Sequence, residues 1–198
     1  MAKRTKAGGG DVDDQAVIEG TRRWISSFVI GLNLCPFARR VFDAGTIRYV
    51  VSGAEDEETL LGDLAGELAT LASAPISAVE TTLLIHPRAL RDFLDYNDFL
   101  GAGDRLVEAL GLYGVIQIAS FHPDYWFAGT KPGSVANYTN RSPYPMLHLL
   151  REQSVTAAAD DPDALLEIPR RNVETLRRLG RAKILATFQD LKERTPPG

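Results

Sequence analysis

Thr46-Ile47-Arg48-Tyr49-Val50-Val51-Ser52, bounded by Gly45 and Gly53, is short, β-branched and aromatic, and reads as a strand. The acidic run Glu55 to Glu58 suits a helix N-terminus, and Leu60, Leu61, Leu64, Leu68 and Leu71 give that helix one apolar face ending before Pro75. Val79 to Ile85 (VETTLLI) is a second strand, running into His86 and Pro87. A helical stretch from Ala89 to Leu110 follows, with an expected break around Asn97 to Gly103, where two glycines sit close together. Val115 to Phe121 (VIQIASF) is a third strand, and it too ends in His-Pro, at His122 and Pro123. Strand, helix, strand, helix, strand at this spacing makes two βαβ units, whose crossovers favour a parallel, buried sheet. The expected fold class is α/β, with a small, mainly parallel sheet of three to four strands. An antiparallel partner strand from Asp124 to Ala128, or a ferredoxin-like arrangement of the same elements, also fits three strands.

Outward from this core, Val17, Ile18, Thr21, Trp24, Ile25, Phe28, Val29 and Leu32 recur with a helical period, capped by Asp13 or Asp14 and finishing near Cys35. Asp124 to Arg141 is a long segment rich in Gly, Pro, Asn and Thr, of the kind that carries function or mobility. Ser142 then reads as the cap of a helix with Pro143 in its first turn and Met146, Leu147, Leu149 and Leu150 inside it. After a break at Asp160 to Asp163, the C-terminal helix has Pro169 near its start. Val173, Leu176, Ile184, Leu185, Phe188 and Leu191 form its apolar face, with a bend at Gly180. The expected organisation is one α/β domain over residues 13–198 behind a disordered tail, 1–12.

The composition of the 198 residues, 44% hydrophobic and 24% charged, is that of a globular domain and excludes collagen-like or disordered extremes. A single Cys excludes a disulfide scaffold and a Cys-rich structural zinc site. No run of about 18 apolar residues is present, which argues against a membrane partner. Three basic residues before Asp14, with no apolar region behind them, do not describe a signal peptide, and the expected location is cytoplasmic. A net charge of −4 argues against nucleic acid as a partner through bulk electrostatics.

Four groups of residues carry possible chemistry. Cys35, in Asn33-Leu34-Cys35-Pro36-Phe37-Ala38-Arg39-Arg40, falls at the N-cap of a short helix opened by Pro36. Helix N–H groups and the two arginines would stabilise its thiolate and bring its pKa below the free value. A lone Cys between Leu34 and Phe37 is equally what a packed core contains. His86 and His122 each follow a strand, where open α/β sheets collect ligands, and could act as acid and base, as metal ligands or as turn residues. Asn140, Arg141 and Ser142 lead into the presumed helix, whose N-terminus with the Arg141 guanidinium would hold an anion. On that helix His148, Arg151 and Glu152 would share one face, with the carboxylate fixing the imidazole. The last group is a basic C-terminal face of Arg170, Arg171, Arg177, Arg178, Arg181 and Lys183, which reads most simply as a solvated helix surface. No phosphate loop, dinucleotide fingerprint, G-x-S-x-G or H-E-x-x-H is present.

The strings Asn33 to Ala38 (NLCPFA), Phe121 to Tyr125 (FHPDY) and Asn140 to Pro145 (NRSPYP), followed by His148 to Glu152 (HLLRE), resemble a family of short proteins known only as a domain of unknown function. The likeness spans roughly Asp13 to Lys192 and implies no reaction or cofactor.

Three functions are open at this level. In an enzyme acting on a small anionic substrate, Cys35 would be nucleophile or redox thiolate. His122 would be acid or base, His148 a second proton carrier, and Arg141 with Arg151, Asn140 and Ser142 the substrate anchor. In a metal- or haem-binding protein, Cys35 and His122 would be ligands together with His86 or His148. In a non-catalytic binding module, the Asp124 to Arg141 loop and the basic C-terminal helix would meet a partner.

Overall fold

The computed structural model describes residues 13–157 and 162–193. The expected disordered tail, and residues 160–161 of the break expected at 160–163, lie outside the described residues; Pro162 and Asp163 already belong to a helix. The chain begins with helix α1 (Asp14–Trp24), whose N-cap carboxylate, Asp13, accepts from the Gln15 N–H. A π-helical turn follows (Ile25–Ile30), then α2 (Ala38–Ala44), β1 (Ile47–Val51), α3 (Glu57–Ser73), β2 (Thr81–Ile85), α4 (Phe93–Ala109) and β3 (Ile116–Phe121). The long loop contains a 3₁₀ turn (Val135–Thr139) and leads to β4 (Met146–Arg151), α5 (Glu152–Thr156), α6 (Pro162–Leu179) and α7 (Arg181–Glu193).

The protein is α/β, with an N-terminal helix before a four-stranded sheet and helices after it, as the sequence predicts. The sheet differs in direction from the mainly parallel arrangement expected. Its order is β1-β2-β4-β3, with β1 and β2 parallel and β4 antiparallel to both neighbours. The cause is a single element. The stretch after Ser142 is not a helix but the central strand β4, with Leu83 and Ala119 on either side of His148 in register. Met146, Leu147, Leu149 and Leu150 are buried there, each contributing about 2 kcal/mol of apolar burial, more than the fraction of a kcal/mol by which helix propensity favours Leu and Met. The alternative partner strand at Asp124 to Ala128 does not form.

Alternation along the strands divides the core. Leu83, Ile85 and Met146 face α1, the π-helical turn, α6 and α7, where they meet Trp24, Phe28, Leu176 and Phe188. Leu84, Leu147, Leu149 and Ile116 face α3 and α4, against Leu64, Leu68, Tyr96 and Phe99. Helix α4 runs without the expected break, because Gly103 is a contact point: a Cβ there would come within 3.3 Å of Ile118 on β3. Pro169 lies inside α6 rather than near its start, and the helical stretch divides at Gly180.

Candidate functional site

The turn that carries Cys35 is set by its backbone. At Gly31 a Cβ would stand 2.2 Å from the Ser27 carbonyl oxygen, so only glycine closes the π-helical turn here, and Asn33 follows in the left-handed region at φ 51°. The Ala38 N–H then donates to the Cys35 carbonyl, with Phe37 as N-cap of α2. Cys35 therefore precedes the cap by two residues and is not itself the cap. The Phe37 and Ala38 N–H groups and the Arg171 charge favour its thiolate, but burial outweighs them and pushes the thiol above its ordinary value. This reverses the lowered pKa expected from sequence. Of the two arginines beside it, Arg40 is committed to Glu80 by paired hydrogen bonds of 2.9 and 2.5 Å.

Cys35 borders two spaces. One is an open cleft of about 900 Å³, whose walls include Val29, Leu34, Phe121, Phe127, Asn140 and, from α6, Ile168, Arg170, Asn172, Val173, Glu174 and Arg177. The other is an inner chamber of about 60 Å³, lined by apolar side chains together with Cys35, Thr81 and His148. Val29, Cys35 and Phe121 are common to both. Asn172 ties α6 to the Cys35 turn by donating to the Leu34 carbonyl at 2.7 Å, and its Oδ1 is buried without a partner.

The chamber brings Cys35 and His148 together, though no hydrogen bond joins them. Thr81 Oγ1 donates its one proton to the Leu149 carbonyl at 2.6 Å, so the 2.8 Å contact with His148 Nε2 requires the imidazole to donate. His148 is thus the Nε2–H tautomer with a lone pair on Nδ1, and burial holds its pKa down at about 4.

His122 is not part of this arrangement. It lies on the opposite face of the sheet, beside α4, with its ring 5.1 Å from that of Tyr96. Its Nδ1 accepts from the Asp124 N–H at 3.0 Å, which leaves the proton on Nε2, donating to the Leu90 carbonyl at 3.2 Å. Both nitrogens are committed, and burial lowers the pKa. The Leu90 carbonyl is presented by a left-handed backbone, φ 52°, a conformation costing about 1 kcal/mol outside glycine. His86 reaches the same rim, although β4 separates the two strands. It stacks on Tyr96 at 5.7 Å and donates from Nδ1 to the Ala89 carbonyl, and burial brings its pKa to about 4. Tyr96 closes the cluster: its hydroxyl donates to the Met146 carbonyl and accepts from the Phe121 N–H, which ties the ends of β3 and β4 to α4.

The expected anion anchors are dispersed. With no helix after Ser142, there is no helix N-terminus for Arg141 to complete. Its guanidinium instead donates to the Tyr125 and Pro132 carbonyls and lies 4.4 Å over the Tyr138 ring, stapling the long loop. Ser142 donates to the Tyr144 carbonyl, and Asn140 to that of Ser120. Arg151 sits at the other end of β4, where its buried guanidinium caps α3 by donating to the Leu71 and Ala74 carbonyls. On a strand His148 and Arg151 point to opposite faces, so the shared helical face with Glu152 does not exist. Among the predicted site residues, Cys35 and Asn140 line the cleft, and Cys35 and His148 line the chamber. Arg170 and Arg177, legible in the sequence as a basic helix face, border that cleft. Arg170 is paired with Glu167 and Glu174, while Arg177 has no carboxylate partner among the described residues. Thr81 and Asn172 carried no sequence signal, since their roles depend on contacts far along the chain.

Among the described residues, no three His, Cys, Asp or Glu side chains group so as to hold a metal ion, and no helix is long and apolar enough to cross a membrane. No curated protein and no solved structure matches the chain. A family model described as "Protein of unknown function (DUF1415)" matches residues 16–186. With that match over most of its length, the chain belongs to the DUF1415 family.

Proposed function

We propose that the chain, acting as one folded unit, binds a small molecule with an apolar body and an anionic end in the cleft beside Cys35. The observation that carries this reading is the placement of Arg177, a cation without a carboxylate partner among the described residues, on a cleft otherwise walled largely by Val29, Leu34, Phe121, Phe127, Ile168 and Val173. The cleft volume falls within the range of small-molecule sites, and a few polar groups on apolar walls are their usual composition. Arg177 takes the anchoring role that the sequence suggests for Arg141 and Arg151, whose guanidiniums are instead turned to backbone carbonyls.

A second reading, turnover through Cys35, is favoured by the Phe37 and Ala38 N–H groups that stabilise a negative sulfur. In the free protein this thiol is protonated at neutral pH and has no imidazole bonded to it, so binding has the stronger support. Metal or haem ligation through Cys35 and His122 has less, because those residues lie on opposite faces of the sheet and both His122 nitrogens are committed.

Titration with phenylacetate and with the neutral phenylacetamide, followed by amide shifts in a ¹⁵N–¹H spectrum, tests the proposal. Phenylacetate should perturb residues around Val29, Phe121 and Val173 saturably and more tightly than the amide, and Arg177→Ala should weaken it several-fold. Equal affinity for acid and amide, or no saturable response to either, would overturn it.

A further inference from the structure

The inner chamber behind Cys35 has polar groups that the cleft reading does not use. Its volume of about 60 Å³ compares with the ~150 Å³ engineered cavity that takes the six carbons of benzene, and by proportion it holds about two to three heavy atoms. Its walls are almost wholly apolar, from Ile25, Val41, Ile47 and Leu83 among others. Against that background, His148 presents an unused acceptor: Nδ1 keeps a lone pair, because the ring proton is on Nε2 and bonded to Thr81. An unpaired acceptor beside a small apolar space is unfavourable, and a donor that satisfies it regains that cost.

From this geometry we infer that the chamber is a binding site for a hydroxyl-bearing group of two or three heavy atoms, such as a short alcohol. A hydroxyl donates, as His148 Nδ1 requires, and the attached one or two carbons fill the apolar remainder. A methyl or ethyl group alone would fill the volume and leave Nδ1 unpaired. A carboxylate would bring a charge into a space with no cation among its lining residues. Since Val29, Cys35 and Phe121 also wall the cleft, this hydroxyl group is assigned as the far end of the cleft ligand, with Cys35 at the neck between the two spaces. That last step rests on the reading proposed above; the chamber's preference for a small alcohol does not.

The test uses ethanol and dimethyl ether, isomers with three heavy atoms each, of which only the first has a donor. Binding is followed by the His148 ring ¹⁵N shifts and the Val41, Ile47 and Leu83 methyl signals of the folded chain. Ethanol should move the Nδ1 signal saturably, dimethyl ether should bind at least fivefold more weakly, and Ala38→Leu, which adds bulk at the chamber wall, should abolish the response to both. Arg177→Ala should leave the ethanol response unchanged, so loss of phenylacetate binding alone marks failure of the cleft reading and not of this one. An unmoved Nδ1 signal, equal affinity for the two isomers, or a response that survives Ala38→Leu in a folded protein would overturn the inference.

Discussion

Replacing Tyr96 by phenylalanine isolates the device that joins β3, β4 and α4. The ring is fully buried and packs between His86 and His122, and phenylalanine preserves those contacts. Only the hydroxyl is lost, and with it the 2.9 Å bond to the Met146 carbonyl and the 3.0 Å bond from the Phe121 N–H. Leaving a buried backbone donor or acceptor unpaired costs about 1–3 kcal/mol each. Two such groups give about 2–6 kcal/mol, and a middle value of about 4 corresponds to a Tm about 8–16 °C lower in a chain of this length. Urea unfolding followed by Trp24 and Trp126 fluorescence measures it, with an unchanged m value showing that stability alone has moved. A loss below about 1 kcal/mol would refute the reasoning, because it would mean that water or a shifted backbone supplies both partners.

The pH dependence follows from the imidazoles. His86 and His148 titrate near 4 in the fold against about 6.5 unfolded, so the unfolded chain binds more protons between those values and stability falls as pH drops from about 6.5 to 4. Each shift is worth at most about 3 kcal/mol, and urea midpoints measured from pH 7 to pH 4 should fall accordingly; a flat profile would contradict the buried neutral tautomers. The Cys35 thiol, raised by burial, should react with iodoacetamide with a midpoint above that of a free thiol, which the pH dependence of alkylation followed by mass spectrometry reads directly. Arg151→Met should destabilise the fold by about 2–3 kcal/mol through loss of the α3 cap, while phenylacetate binding, measured by the same amide shifts, stays unchanged.

Three strands and the helices between them were legible because β-branched runs and a 3.6-residue leucine pattern are local signals. The fourth strand was not, because Met146-Leu147-His148-Leu149-Leu150-Arg151-Glu152 is made of good helix formers and becomes a strand only between two others with both faces buried. A cue was present in Pro143 and Pro145, which push Ser142 and Tyr144 toward extended backbone and disfavour a helix through that stretch. That one reassignment moved the candidate site. Arg151 went to the far end of the sheet, His148 turned toward Cys35, and the helix that would have made Arg141 an anion anchor disappeared. That His86 and His122 each follow a strand was readable from the two His-Pro dipeptides. Their structural role was not, since that depends on carbonyls at Ala89 and Leu90 that only the folded loop presents.

On the proposed function, Cys35 stands in the wall of a cleft that receives an anionic ligand held by Arg177. The most direct test of that placement is the rate of Cys35 alkylation by iodoacetamide in the native protein, with and without saturating phenylacetate. Phenylacetate should slow alkylation in step with its own binding curve, and Arg177→Ala should move that protection to several-fold higher phenylacetate concentrations. An alkylation rate unchanged by phenylacetate, or a protection curve unmoved in Arg177→Ala, would refute the placement of the ligand.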